Sequence, residues 1–257
     1  TLGGSATAIL TVVLFWDRGE PSMLFYTLLL LLATGFWVVA GVLFASVDEY
    51  EGETSGGGNA LRDAFNNLGL LRTDPPFRHF VITRALLLCS ALASPYFVLM
   101  AQKQEDSAWL LGVFLLASSL ASSVSASVWG WMADSSSRRV MIRGAIIASG
   151  TCLVVGAAGL LLGDQVGGRW FYPLAFFVLS IAHAGVRLGR KTYLVDMAGG
   201  NKRTDYTSVS NSGIGLLLLV TGGVTALVSL ISGTAVILFL GFMGLAGTVS
   251  ALRLKEV

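Results

Sequence analysis

The chain has 257 residues, of which 54% are hydrophobic and only 12% charged, and its mean hydropathy is +0.74. Soluble domains carry about 25% charged residues, so this composition excludes a water-soluble globular protein and indicates lipid as the solvent. The formal net charge of +2 is too small, and the cations are too scattered, to suggest a nucleic-acid partner.

Eight apolar runs follow one another along the chain. They cover residues 2–15, 23–47, 80–101, 109–133, 140–163, 171–194, 207–231 and 234–252. A helix needs roughly 20 residues to cross the hydrocarbon layer, and in lipid only a helix satisfies every backbone group of such a continuous run. We therefore predict an all-α, polytopic transmembrane bundle of about eight helices. The short first run indicates a chain that begins inside a helix, as a C-terminal portion of a longer protein would.

The one long connection divides the chain into residues 1–47, 48–79 and 80–257. It opens with an acidic linker rich in glycine and serine, and Leu61, Phe65, Leu68 and Leu71 then follow at helical spacing. This pattern predicts an amphipathic helix, which lies either on the membrane surface or against the cytoplasmic ends of the bundle.

Lysine and arginine are distributed unequally between the two sets of loops. Fourteen of the 17 fall in one set and its adjoining helix ends, and three fall in the other, namely Arg18, Lys103 and Arg169. Because cytoplasmic loops retain positive charge during insertion, both ends of the chain are predicted to face the cytoplasm, with the bundle in the cell membrane.

The connection at residues 130–139 has the sequence GWMADSSSRR. A glycine such as Gly130 lets two helices approach, and a carboxylate such as Asp134 can meet the positive end of a helix dipole. Arg138 and Arg139 can bind carbonyls or anionic headgroups. This spacing resembles the loop motif G-x-x-x-D-x-x-x-R-[RK] of the major facilitator superfamily, although an ordinary positively charged cytoplasmic loop remains the alternative.

A second stretch, residues 183–198 followed by 206–212, is similar to helix ten and the entry to helix eleven of bacterial permeases in that superfamily. If the long connection is the central loop, the chain holds helices five to twelve and the motif falls between helices eight and nine. The resemblance implies a secondary transporter that moves a small solute through the lipid bilayer by alternating access, with a proton or another ion as a coupling partner. The alternative is a membrane scaffold or sensor that has this fold and does not transport.

Polar residues inside the spans are candidates for the solute or proton path. His183 and Arg187 share a helix face, His183 to bind substrate or relay protons and Arg187 to hold an anionic group. Their alternatives are snorkelling towards the cytoplasm or structural pairing, for example of Arg187 with Asp196 or Asp134.

Serines on the run at residues 109–133 have two interpretations. Ser122 shares a face with Ser118 and Ser125, which either lines an aqueous path or lets helices pack closely, as Gly185 and Gly189 would.

Three further positions in the apolar runs are polar or irregular. Asn211 is a similar path candidate, Arg84 is expected to snorkel, and Pro95 is expected to bend its helix. No motif for nucleotide hydrolysis, nucleophilic catalysis or metal binding is present, so we predict no enzymatic activity, no cofactor and no metal.

Overall fold

A computed structural model describes residues 23–46, 69–104, 108–163, 166, 168–199 and 203–257. Every regular element within these ranges is an α-helix, which confirms the predicted all-α class for the described part of the chain. The helices are α1 Met23–Ala45, α2 Leu70–Thr73, α3 Pro75–Leu86, α4 Cys89–Gln104, α5 Ala108–Ala133, α6 Ser137–Leu162, α7 Phe171–Met197, α8 Arg203–Ser229 and α9 Gly233–Leu252.

Within the described ranges, six helical segments are long and apolar enough to cross a membrane. They are Pro75–Gln104, Trp109–Ala133, Ser137–Leu162, Phe171–Met197, Asp205–Ser229 and Gly233–Leu252. These segments correspond to six of the eight predicted runs and make the chain a multi-pass membrane protein. The run at 23–47 contains α1, whose described side chains are all exposed. The run at 2–15 and most of the predicted amphipathic helix lie outside the described residues.

The centre of the bundle is α6, which packs against α7 and α9. Small residues make the contact with α7 close. A Cβ added at Gly144 would lie 2.9 Å from the carbonyl oxygen of Ala182, and one at Gly189 would lie 2.7 Å from the backbone nitrogen of Met141. Because backbone atoms occupy these positions, the two helices touch with little side chain between them.

Glycines also line the face of α9 that packs against α4 and α6. A Cβ at Gly244 would come within 2.8 Å of the Cys89 sulfur, and one at Gly241 would lie 3.3 Å from Cβ of Cys152. Both cysteines are free and buried. They therefore fill the space beside the α9 glycines as small apolar side chains.

Two boundaries differ from the sequence-based predictions. Asp74 accepts a hydrogen bond from the Phe77 backbone N–H (3.0 Å), and Pro75 and Pro76 occupy the first turn of α3. An acidic cap and first-turn prolines both favour a helix start. The helix therefore begins at residue 75, and the connection predicted to run to residue 79 ends at 74.

The predicted span at 80–101 is interrupted by a turn at Leu87 and Leu88, whereas α4 continues through Pro95. The turn lies against α9, where a Cβ at Gly247 would come within 2.8 Å of the Leu87 side chain. The interruption thus occurs where two helices meet and does not occur at the proline.

One end of the bundle, here termed the charged end, gathers the starts of α3, α6 and α8 and the ends of α5, α7 and α9. The Tyr206 hydroxyl donates to the Asp74 carboxylate, and the Tyr193 hydroxyl donates to the Lys255 carbonyl (2.8 Å). At the opposite end, the Trp109 and Trp170 rings meet edge to face at 5.8 Å. The described helices therefore alternate in direction as the loop charges predict.

The short helix α2 also lies at the charged end. Leu70 and Leu71 are partly buried against its apolar cluster. These residues of α2 thus pack on the bundle, and the two alternatives for the amphipathic helix stay open because most of it lies outside the described residues.

Candidate functional site

The predicted loop motif forms the turn between α5 and α6 at the charged end. Ser136 caps α6 by accepting a hydrogen bond from the Arg139 backbone N–H (3.1 Å). The Arg138 guanidinium reaches the end of α9, where it donates to the Leu252 carbonyl (2.6 Å) and pairs with the Glu256 carboxylate (3.1 Å). Arg138 therefore binds a carbonyl as expected, and its acidic partner comes from the C-terminal segment.

The Ser136 hydroxyl donates to the second carboxylate oxygen of Glu256. This hydrogen bond, together with Arg138, favours the charged carboxylate and lowers the pKa of Glu256 below its usual value. We term Ser136, Arg138, the Leu252 carbonyl and Glu256 the C-terminal clasp. In this clasp the Arg138 guanidinium donates both to the Glu256 carboxylate and to the Leu252 carbonyl.

The remaining motif residues make fewer contacts. Asp134 is exposed, and its side chain forms no hydrogen bond or ion pair with any described residue. The Arg139 side chain is likewise exposed. A Cβ at Gly130 would have nothing within 4 Å among the described atoms, so the close helix approach expected at this glycine is not found there.

A groove of about 470 Å³ runs between α5 and α7. Its polar lining consists of two serine hydroxyls from α5 and two cations from α7. The lining residues that matter here are Ser122, Ser125, Gly130, Arg187 and Lys191. The structure thus brings together Ser122, Gly130 and Arg187, which the sequence analysis selected for different reasons.

Trp129 fixes the spacing of the two helices that form this groove. Its indole N–H donates to the Ile181 carbonyl (2.9 Å). Its ring also lies against Gly185, where an added Cβ would come within 2.6 Å of it. Gly185 is therefore the close-packing residue that was predicted, and a larger side chain there would push α5 away from α7.

Arg187 is exposed and forms no hydrogen bond or ion pair within the described part of the chain. The pairings considered for it are not made. Asp196 instead accepts a hydrogen bond from the Ser137 hydroxyl (3.3 Å), and Asp134 lies in the α5–α6 turn. Arg187 therefore keeps its donors available to the groove.

Asn211 has a partner that the sequence analysis missed. Its side-chain oxygen accepts from Nη2 of Arg84 (2.9 Å), while the neighbouring Ser210 hydroxyl accepts from Nη1 (2.5 Å). Ser210 is fully buried. Arg84 therefore links α3 to α8 through two neutral acceptors, of which Ser210 is buried and Asn211 is exposed.

His183 lies on the side of α7 that meets α4. Its Nδ1 is 3.0 Å from the Ser90 hydroxyl, and the imidazole is half-buried. Arg187 and Arg190 lie within electrostatic range of His183. The histidine thus borders the cations of α7, although it is not among the residues that line the α5–α7 groove.

Arg84, Arg187 and Arg190 form what we term the arginine cluster. Arg190 lies within electrostatic range of both Arg84 and Arg187, so the charges repel one another. No acidic side chain in the described ranges pairs with any of the three within 4 Å. An arginine at the centre of a membrane helix costs about 2.5–3.5 kcal/mol, so the cluster requires water, protein or an anion around it.

In the described ranges, no three His, Cys, Asp or Glu side chains come together as a metal site would require. The fold and the charges inside its spans define the class of the protein, which is an all-α, multi-pass membrane protein with a polar groove between two of its helices. The sequence matches no model of a known protein family and none of the curated proteins with which it was compared.

Proposed function

We propose that this protein is a secondary transporter of the kind its loop motif resembles, a permease of the major facilitator superfamily that moves a small solute by alternating access. The observation that supports this proposal is the α5–α7 groove, which combines serine hydroxyls with the guanidinium of Arg187, for which the described residues provide no partner. Secondary transporters bind their substrates near the membrane midplane, on polar groups of facing helices.

Arg187 lies within the span of α7, close to such a depth. It follows the midpoint of Phe171–Met197 by three residues, or about 4.5 Å at 1.5 Å per residue, on the side of the charged end. The neighbouring face of α5 is different, because Leu120, Val124 and Val128 are exposed, apolar and four residues apart. That face suits lipid, whereas the groove suits water and a polar solute.

The proposal extends to location and energy source. The charged end faces the cytoplasm of a cell membrane, because it carries most of the lysine and arginine. The solute's own gradient or a coupled proton or other ion supplies the energy, and His183 is the side chain best suited to relay a proton. No step of this mechanism requires catalysis.

Access of water to the groove from both membrane faces tests alternating access without knowledge of the solute. The full chain carrying Ser122→Cys is reconstituted in liposomes and treated with a membrane-impermeant maleimide from outside or from within. We expect labelling from each side, because alternating access opens the groove to both. Native Cys89 and Cys152 are buried and provide a low background.

Val124→Cys is the matched control, since it lies on the same helix two residues away and outside the groove. We expect it to remain unlabelled from either side. Labelling of Ser122→Cys from one side only would indicate a fixed vestibule, as in a scaffold or sensor, and would contradict transport. An absence of labelling from both sides would contradict it as well.

A further inference from the structure

The guanidinium of Arg84 is held in a defined orientation by neutral acceptors. Its two terminal nitrogens bind the Ser210 hydroxyl and the Asn211 amide oxygen. Nε is shielded from solvent and has no acceptor among the described residues. A guanidinium is a planar fork that binds carboxylate or phosphate through two parallel N–H groups, and the Nε–H of Arg84 is a donor that no described acceptor satisfies.

Arg190 presents a second donor of the same kind. Its Nε is also shielded and lacks an acceptor in the described ranges, and its side chain makes no hydrogen bond there. The two guanidinium groups, one on α3 and one on α7, lie within electrostatic range of each other. Two orphaned donors on cations that repel each other are stabilised best by an acceptor with negative charge between them.

An Nε atom without an acceptor does not by itself indicate a bound anion, as Arg138 shows. Its Nε also lacks an acceptor, yet its terminal nitrogens bind the Glu256 carboxylate and the Leu252 carbonyl. Its charge is therefore balanced by protein. Arg84 has only neutral acceptors, and Arg190 has none in the described part of the chain.

We infer that Arg84 and Arg190, with Arg187 beside them at the groove, form a binding site for an anionic group, either a carboxylate or a phosphate. Such a group can belong to a free solute or to the headgroup of an anionic lipid. As a solute site the inference rests on the proposed transport function and assigns an anionic substrate class. The binding itself is measured independently of transport.

Thermal unfolding of the full chain in phosphatidylcholine nanodiscs tests the site. Inorganic phosphate, citrate and, separately, phosphatidylglycerol in the disc are the probes, at constant ionic strength against chloride. A ligand that binds the folded state raises the melting temperature in a saturable manner. We expect Arg190→Gln to require at least about tenfold more ligand for the same shift, because it loses charge-assisted hydrogen bonds.

Two further variants separate binding from general damage. Arg78→Gln removes the same charge from α3 at an exposed position outside the cluster, and it should respond to the anions as the wild type does. Arg84→Gln should weaken the response as Arg190→Gln does, but it also removes two hydrogen bonds. Without ligand, Arg190→Gln should melt at or above the wild-type temperature, because repulsion is relieved, whereas a purely structural arginine would lower it.

The outcomes are distinct. A response to phosphate or citrate assigns a free anion, and a response to phosphatidylglycerol alone assigns a lipid headgroup. If neither probe stabilises the wild type, or if Arg190→Gln and Arg78→Gln respond equally, the anion site is refuted. Anion binding combined with one-sided labelling of Ser122→Cys would reject transport alone, and two-sided labelling without anion binding would reject this site alone.

Discussion

The C-terminal clasp and the arginine cluster place cations in opposite surroundings on the same bundle. In the clasp, at the charged end, Arg138 donates hydrogen bonds to a carboxylate and a carbonyl. In the cluster, inside the spans, Arg84 meets only neutral oxygens and Arg190 meets no acceptor among the described residues. A paired cation needs no explanation beyond structure, whereas cations in a membrane without an acidic partner are retained at a cost and require water, other protein groups or an anion around them.

Gly189 links the two regions, and its replacement should have the largest effect. It lies on α7 between Arg187 and Arg190, and a Cβ there would come within 2.8 Å of the carbonyl of Ser137, the neighbour of Arg138. Because backbone cannot move aside as a flexible side chain can, Gly189→Ala should separate α6 from α7. We expect a loss of about 1–3 kcal/mol, measured as a lower unfolding temperature in nanodiscs, with weaker anion binding.

Gly130→Ala is the control for this variant. Its added Cβ meets nothing within 4 Å in the described structure, and alanine favours a helix by up to about 1 kcal/mol over glycine. We expect unchanged or slightly raised stability. If Gly130→Ala were the more damaging of the two, the close contact between α6 and α7 would not be what connects the clasp to the cluster.

These two glycines show what the sequence could predict. Long apolar runs are a local property, so the six spans were found within a few residues of their ends. The close-packing role of Gly185 and Gly189 was also predicted correctly, and that of Gly130 was not. Each is a glycine in an apolar helix, and only the neighbour that faces it distinguishes them.

Of the two helix boundaries that differ from the predictions, one could have been recognised from the sequence and the other could not. Asp74 followed by Pro75 and Pro76 is a helix start by local rules, although the polar residues after it concealed the start. The turn at Leu87 packs against Gly247, which is remote in sequence. No local pattern could have revealed it.

The candidate site also contains residues that the sequence suggested and contacts that it could not reveal. His183 and Arg187 were recognised because cations and histidines inside a span are unusual on their own helix. The partners of Arg84 are 126 and 127 residues away, so no periodicity connects them. The arginine cluster is a property of the packed helices and became visible only with the fold.

Asn211→Asp would turn the cluster into a paired site like the clasp. The new carboxylate would stand where the amide oxygen now accepts from Arg84 at 2.9 Å. We expect stabilisation by about 1–2 kcal/mol, since a charge-assisted pair replaces a neutral hydrogen bond. Phosphate or citrate should then give at least about tenfold weaker stabilisation, because the protein supplies the anion itself.

Ser212→Asp provides the matched control for this charge. It adds the same carboxylate at the next, exposed position of α8, which forms no hydrogen bond with Arg84. Its anion response should stay close to that of the wild type. If Asn211→Asp bound anions as tightly as the wild type does, the lack of an acidic partner in the cluster would not be the reason why it binds anions.

The smallest expected effect concerns the clasp itself and its dependence on pH. The folded-state pKa of Glu256 is lowered from its ordinary value of 4.5, mainly by the Ser136 hydroxyl and then by Arg138. Between these two pKa values the unfolded chain binds more protons than the folded one, so stability rises with pH there. The clasp therefore contributes fully above pH 4.5 and is lost as pH falls through the lowered folded pKa.

Glu256→Gln removes this titration and should reveal how little an exposed pair contributes. We expect it to be less stable than the wild type by under about 1 kcal/mol at neutral pH, and the difference should vanish in acid. Unfolding temperatures measured across the acid range would show the two curves converge. At neutral pH, Asp134→Asn removes an exposed carboxylate at the same end that has no partner among the described residues, so its unfolding temperature should stay close to that of the wild type. If the unfolding temperatures of Glu256→Gln and the wild type differed by the same amount at every pH, the carboxylate charge would not be what holds the C-terminal segment. The balance of charge would then not distinguish the clasp from the cluster, and only their locations would.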